Sequence, residues 1–137
     1  MENCIFCKII KGEIPSSKVY EDAKTFAFLD IAPVNKGHCL IVPKKHSADL
    51  HGMSEEDAGA CINTAKKLCD AMSKALGTKS FNVFMNNGKE AGQVVFHSHI
   101  HVVPRFEDDK QPITWHHTKY EGNEMKEFME KIRKSFQ

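Results

Sequence analysis

The chain has 137 residues, with 19 Lys and Arg set against 18 Asp and Glu, eight His and five Cys. That length suits one compact domain and excludes a second full one, and 41% hydrophobic with 27% charged residues is the composition of a folded protein. A formal net charge of +1 supplies no basic field for DNA or RNA and no acidic tail.

The opening Met-Glu-Asn-Cys-Ile-Phe-Cys lacks a basic stretch leading into an apolar one, so it does not read as a secretory signal. No apolar run approaches the ~20 residues of a membrane span. Five cysteines cannot all pair internally. Together these features predict a reducing, cytoplasmic setting, with no nucleic-acid or membrane partner.

Residues 4–11 carry Ile5, Phe6, Ile9 and Ile10 at helical spacing and stop at Gly12, which predicts a short helix. Residues 18–21 and 25–29 read as strands around a turn at Asp22-Ala23-Lys24. Gly37 precedes a third strand, His38-Cys39-Leu40-Ile41-Val42, that Pro43 ends. Residues 47–50 read as a helical turn or loop. The clearest element is a helix over 55–76, capped by Ser54 and Gly77, with acidic residues in its first turn. Its Ala58, Cys61, Ile62, Ala65, Leu68, Cys69, Met72 and Leu76 form one stripe that belongs to the core and has no function of its own. A fourth strand over 81–85, a Gly- and Asn-rich loop over 86–92, and a fifth strand over 96–103 follow. Pro104 closes that fifth strand. Met125, Phe128, Met129 and Ile132 mark a C-terminal amphipathic helix. The sum is an α+β fold: a five-stranded antiparallel sheet with one long helix and a C-terminal helix.

The unusual stretch is His97-Ser98-His99-Ile100-His101-Val102-Val103. In a strand, alternate side chains share a face, so the three imidazoles line one surface at ~6.6 Å intervals while Ile100 and Val102 anchor the other. A partly exposed strand that happens to be rich in histidine is the bland reading. A catalytic metal is a second one, although three nearly collinear residues do not reach one tetrahedral ion without distortion. The third makes the middle imidazole a nucleophile, its neighbours fixing its tautomer and managing protons. The Cys4-x-x-Cys7 pair is likewise open between a redox dithiol, two structural thiols and half of a zinc site.

His-x-His-x-His-Val-Val resembles the signature of the histidine-triad (HIT) superfamily of nucleotide hydrolases and transferases. The resemblance extends through Ile5-Phe6-Cys7-Lys8-Ile9-Ile10, Glu13-Ile14-Pro15, Phe28-Leu29-Asp30-Ile31-Ala32-Pro33, Gly37-His38, Val42-Pro43-Lys44-Lys45-His46, Asn86-Asn87-Gly88 and Gly92-Gln93. It covers residues 4–105 as the core of a single 1–137 domain, leaving 106–137 as an extension with a helix.

The resemblance implies a HIT-like fold in which His99 attacks the α-phosphorus of a purine nucleotide and forms a covalent nucleotidyl-histidine. His101 would hydrogen-bond the phosphate or leaving group and shuttle a proton, with His38 supporting that network. Relatives acting as transferases carry Gln at the position of His101, so an imidazole there favours hydrolysis. Asn86 and Gln93 match phosphate contacts. Ile5, Phe6, Ile9, Ile14, Phe28 and Ile31 match the apolar cleft for the base, and Asp30 the carboxylate that takes both ribose hydroxyls. Cys4, Cys7, His46 and His97 match a structural zinc site, in which His97 would stiffen the segment that aims His99. No catalytic metal is expected, since the chain has no Gly-x-x-x-x-Gly-Lys loop and no acidic Mg²⁺ cluster.

The implied activity is release of a mononucleotide such as AMP from a nucleoside phosphoramidate by a homodimer. Dinucleoside polyphosphate hydrolysis and a nucleotide-binding scaffold are the alternatives. Three features depart from the pattern. Val94 stands where many relatives have Ser or Thr, and Ser98 where they have an apolar residue, which a polar face or strand edge would accommodate. The extension replaces the short tail of the nucleoside-phosphoramidase (HINT) branch. His51, His116 and His117 receive no role.

Overall fold

The computed structural model describes residues 3–136. In chain order it has α1 (Ile5–Ile10), β1 (Lys18–Glu21), β2 (Thr25–Leu29), β3 (Cys39–Pro43), α2 (Glu55–Leu76), β4 (Ser80–Phe84), β5 (Ile100–Arg105) and α3 (Glu124–Lys134), with 3₁₀ turns at Leu50–Gly52 and Lys89–Ala91. The strands form one antiparallel sheet in the order β1-β2-β3-β5-β4. The predicted α+β class and the five-stranded antiparallel sheet are both observed.

Strands β2 and β3 are buried on both faces, so their apolar residues run without alternation. Ala27, Cys39, Ile41, Ile100 and Val102 pack beneath Cys61, Ala65, Leu68 and Met72 of α2. Phe26, Phe28, Leu40 and Val42 face the other way, against Phe6 and Ile9 of α1. Ser54 Oγ accepts from the amide of Asp57 at 3.0 Å to start α2, and Gly77 ends it at φ 72°, a backbone state that glycine enters without steric penalty. Two residues of the expected stripe, Ile62 and Leu76, are exposed instead. The helix lies over β2, β3 and β5, and its flank toward the edge strand β4 has no cover.

The fifth strand is displaced from its expected limits, starting at Ile100 and running through Pro104 to Arg105. Its ladder with β3 ends at the Ile41–Ile100 pair, because Pro43, two residues further along β3, has no N–H to give. His97–His99 are held differently: the Ser98 amide donates to Ser47 O at 2.7 Å. At the other end β3 has ended before Pro104, whose missing N–H therefore breaks no ladder. Apart from the partly buried Asp109, residues 106–136 are exposed, although α3 forms over the predicted Met125, Phe128, Met129 and Ile132. Among the described residues no helix is long and apolar enough to cross a membrane.

Candidate functional site

The three imidazoles of the His-x-His-x-His stretch lie on the α1 side of the sheet, and each meets a different partner: His97 the Pro43 carbonyl, His99 the His97 carbonyl and His101 the His38 ring. Phe6 stands edge-on to the rings of His97 and His99, at centroid distances of 5.9 and 5.2 Å. His101 sits opposite Leu40 in β3 and Phe84 in β4. Its ring is 5.0 Å from that of His99.

Hydrogen-bond partners determine the tautomers. His99 Nδ1 lies 2.7 Å from the carbonyl of His97. A carbonyl only accepts, so Nδ1 carries the hydrogen and Nε2 keeps a bare lone pair. His38 is the opposite case. The amide of Val34 donates to its Nδ1 at 3.1 Å, so its hydrogen is on Nε2, which donates to His101 Nδ1 at 2.9 Å. His101 thus accepts at Nδ1 and, when neutral, presents Nε2–H. Burial, reinforced by His99 and His38, lowers its pKa to about 4, and burial also lowers that of His38 despite Asp30 nearby. The pair is therefore neutral near pH 7.

His97 faces a separate cluster. Its Nε2–H donates to Pro43 O at 2.9 Å, which leaves Nδ1 bare and pointing at Cys4 Sγ (3.3 Å), Cys7 Sγ (3.6 Å) and His46 Nδ1 (3.1 Å). Cys7 Sγ lies 3.4 Å from His46 Nδ1. Bonds of ~2.05 Å to nitrogen and ~2.3 Å to sulfur around a tetrahedral ion put N···N edges at about 3.3 Å and N···S edges at about 3.6 Å. The four donors thus fit zinc. The ring also has its other nitrogen held by a carbonyl, as metal-binding histidines commonly do. Asp30, His38 and His101 also lie at metal-binding distances. That trio does not fit, because His38 Nε2 bears a hydrogen and Val34 N–H blocks the alternative tautomer. The other three cysteines are Cys39, Cys61 and Cys69; burial pushes the first two up to about 11 and about 12, as in unreactive core thiols.

The residues expected to hold the nucleotide divide into two sets. Phe6, Ile9 and Phe28 are buried in the core beneath the histidines, and Ile14 packs on its margin. Ile5 is half exposed and Ile31 fully so, which leaves them free to meet a ligand. Asp30 Oδ1 accepts from Ala32 N at 2.9 Å, while Oδ2 lies 3.6 Å from His38 Nε2 with lone pairs to spare. Asn86 is partly buried beside Gly92. Gln93 is fully committed: its Nε2 donates to Ala48 O at 2.6 Å and Val95 O at 3.1 Å, and its Oε1 accepts from Gly88 N at 2.8 Å. Its side chain therefore holds the 88–95 loop in shape and has no N–H left for a phosphate. Val94 is exposed. Ser98 lies neither on a polar face nor at an edge; it is fully buried, with amide and hydroxyl both bonded to Ser47 O. His51, His116 and His117 are exposed.

One side chain of the site escaped sequence reasoning. Phe84 stacks on His101 with a 4.6 Å centroid separation and a 6° interplanar angle. Only the β4–β5 register brings the two together.

The sheet thus carries a lone-pair imidazole beside a proton-donating one, flanked by a carboxylate. The HIT domain family profile matches residues 11–108, and the chain belongs to that family. It is 47% identical over 103 residues to adenosine 5'-monophosphoramidase hnt1 of Schizosaccharomyces pombe, covering 75% of this chain and 74% of that one. A crystal structure of a Streptococcus mutans protein superposes with a TM-score of 0.93 at 39% identity, covering 100% of this chain and 87% of the other. A zinc-bound histidine triad family protein from Mycobacterium smegmatis superposes with a TM-score of 0.78 at 36% identity, over 82% of this chain and 81% of that one. The chain is an enzyme, a nucleotide hydrolase of the HIT family.

Proposed function

We propose that the chain releases AMP from adenosine phosphoramidates through a covalent nucleotidyl-His99 intermediate. The observation that carries this reading is the 2.7 Å bond from His99 Nδ1–H to the His97 carbonyl, which leaves Nε2 as a free nucleophile on a fixed ring. Its lone pair attacks the α-phosphorus as the bond to the leaving group breaks. The leaving atom takes the His101 Nε2 proton, and the pair left on His101 is stabilised by His38 Nε2–H and by the positive charge on the phosphorylated His99 ring. Water then attacks phosphorus, the P–Nε2 bond breaks, and the water proton returns to His101. Each step balances without an external base.

Asp30 Oδ2, with the exposed Ile31 next to it in sequence and the half-exposed Ile5 on α1, supports a ribose contact beneath a purine. Asn86 remains available to phosphate, while Gln93 acts on the loop. Cys4, Cys7, His46 and His97 would hold a structural zinc, and the Mycobacterium smegmatis relative is zinc-bound. When bound, the ion supplies a four-point crosslink holding His97, whose carbonyl fixes His99. No step passes through it, and we assign no catalytic metal. We further read the protein as a cytoplasmic homodimer of a single-domain chain, with core 4–105 and extension 106–137. The half-exposed Ile62, Val83 and Phe84 along the unpaired edge of β4 support the dimer.

The test mixes the enzyme with an AMP alkylphosphoramidate, quenches early and maps the adduct by mass spectrometry. An added AMP on His99 is expected. Turnover with an adduct at another residue would overturn the mechanism. Turnover no faster than that of His99→Ala, despite AMP binding, would make the protein a nucleotide-binding scaffold.

A further inference from the structure

Outside the site lies a carboxylate on which polar groups converge. Asp109 has a side chain only 8% exposed and accepts from Arg105 Nε (2.8 Å), Arg105 Nη2 (3.0 Å), Phe106 N (2.9 Å), Gln111 N (3.0 Å) and Asn35 Nδ2 (2.9 Å). The Arg105 guanidinium, with these amides, holds its carboxyl well below the usual carboxylate range. Lys110, the next residue, takes φ 58°, a left-handed state rare for a residue with a Cβ, in the turn that wraps Asp109. The matched family region ends at residue 108, so Asp109 and Gln111 lie beyond it.

Two threads lead from this knot to the histidines. Asn35 Nδ2 donates to Asp109 and also to Pro104 O at 3.0 Å, while Asn35 O accepts from His38 N at 3.0 Å. Gln111 Nε2 donates to Val34 O at 3.0 Å, and it is the Val34 amide that donates to His38 Nδ1. The turn between Val34 and His38 is thus held through both its first two residues. At Gly37 a Cβ would come within 2.9 Å of Leu76 Cδ1 and 3.2 Å of Pro104 Cγ, so the turn is also wedged against the sheet.

We propose that Asp109 is a positioning residue for proton delivery: with Asn35 and Gln111 it holds the Val34 amide on His38 Nδ1, so that His38 donates to His101 and His101 presents Nε2–H to the leaving group. The inference rests on the reading that His101 supplies the leaving-group proton. Without the knot, the 34–38 turn loosens, His38 samples both tautomers, and in one of them two lone pairs face each other across 2.9 Å.

The experiment compares the full-length chain with Asp109→Asn and Gln111→Ala, the latter an exposed change that leaves the fold's core untouched. Long-range proton–nitrogen spectra of the imidazoles report the tautomers directly in the free protein. The parent should show His38 with unprotonated Nδ1; both variants should show averaged His38 nitrogens. Kinetics then use two AMP derivatives: an alkylamine phosphoramidate, whose leaving group needs the proton, and a nitrophenyl ester, whose leaving group does not. Both variants should lose roughly tenfold in kcat on the first and less than about threefold on the second, with KM little changed. If Asp109→Asn unfolds, Gln111→Ala carries the test alone. An unchanged His38 tautomer, or equal losses on both substrates, would overturn the proposal. A failure of the functional reading is distinguishable, because it removes turnover in the parent while leaving the spectra as described.

Discussion

Lowering the pH from about 7 to about 5 should destabilise the fold through His101. Burial first, then His99 and His38, hold this imidazole down to about 4, against ~6.5 in an unfolded chain. A base depressed in the folded state binds its proton more readily when unfolded. Its stabilisation is therefore complete above ~6.5 and is lost as pH falls toward 4. Integrating the difference in proton uptake between pH 7 and pH 5 gives close to 2 kcal/mol for this one group; partial solvent contact of the ring reduces the working figure to ~1–2 kcal/mol. His38, also depressed by burial, acts in the same direction. Urea unfolding of the parent and of His101→Gln, at matched zinc content across this interval, isolates the term. The parent should lose ~1–2 kcal/mol more than the variant. Parallel stability curves would refute the argument, because they would mean that His101 is not held neutral by desolvation.

Other measurements address separate parts of the site. Purified protein should carry about one zinc per chain by elemental analysis. Cys7→Ser should carry little and melt roughly 10 °C lower, the result of losing a few kcal/mol of metal-linked stability; full zinc content in the variant would remove Cys7 from the site. Replacing Phe84 by Leu deletes the ring stacked on His101, an interaction worth ~1 kcal/mol, and should lower kcat several-fold with KM little changed. An unaltered kcat would mean that the stacking does not orient His101. Ile62→Glu places a charge on the open flank of α2, and sedimentation should then report a monomer where the parent is a dimer. A parent that is itself monomeric would refute the dimer.

Much of this site is written in local spacing. The period of α2 and the alternation of His97, His99 and His101 are local patterns, and both are present in the fold. What the sequence does not disclose depends on partners distant in the chain. Pro43 ends the β3–β5 ladder and so leaves His97–His99 outside the strand that their alternation predicts. Gln93 matches a phosphate contact by position, yet three backbone groups saturate it. Phe84 lies 17 residues from His101 in sequence, and only the β4–β5 register stacks the two. Asp109 reads as one more acid in a polar extension until Arg105, Asn35 and two backbone amides are seen to share it.

The histidines differ less in their own chemistry than in the backbone group each one meets. A carbonyl on Nε2 of His97 bares Nδ1 toward two thiols and a second imidazole, as the proposed metal ligand requires. A carbonyl on Nδ1 of His99 bares Nε2, as the proposed nucleophile requires. An amide on Nδ1 of His38 forces the hydrogen to Nε2, which makes a donor and passes the same polarity to His101. Residues 97, 34 and 43 act here through main-chain atoms that side-chain substitution does not delete. Alanine at Val34 should therefore leave the His38 tautomer intact, whereas proline there removes the N–H and should release it. Imidazole spectra of the two variants separate these outcomes, and a tautomer that survives Val34→Pro would show that the backbone amide is not what selects it.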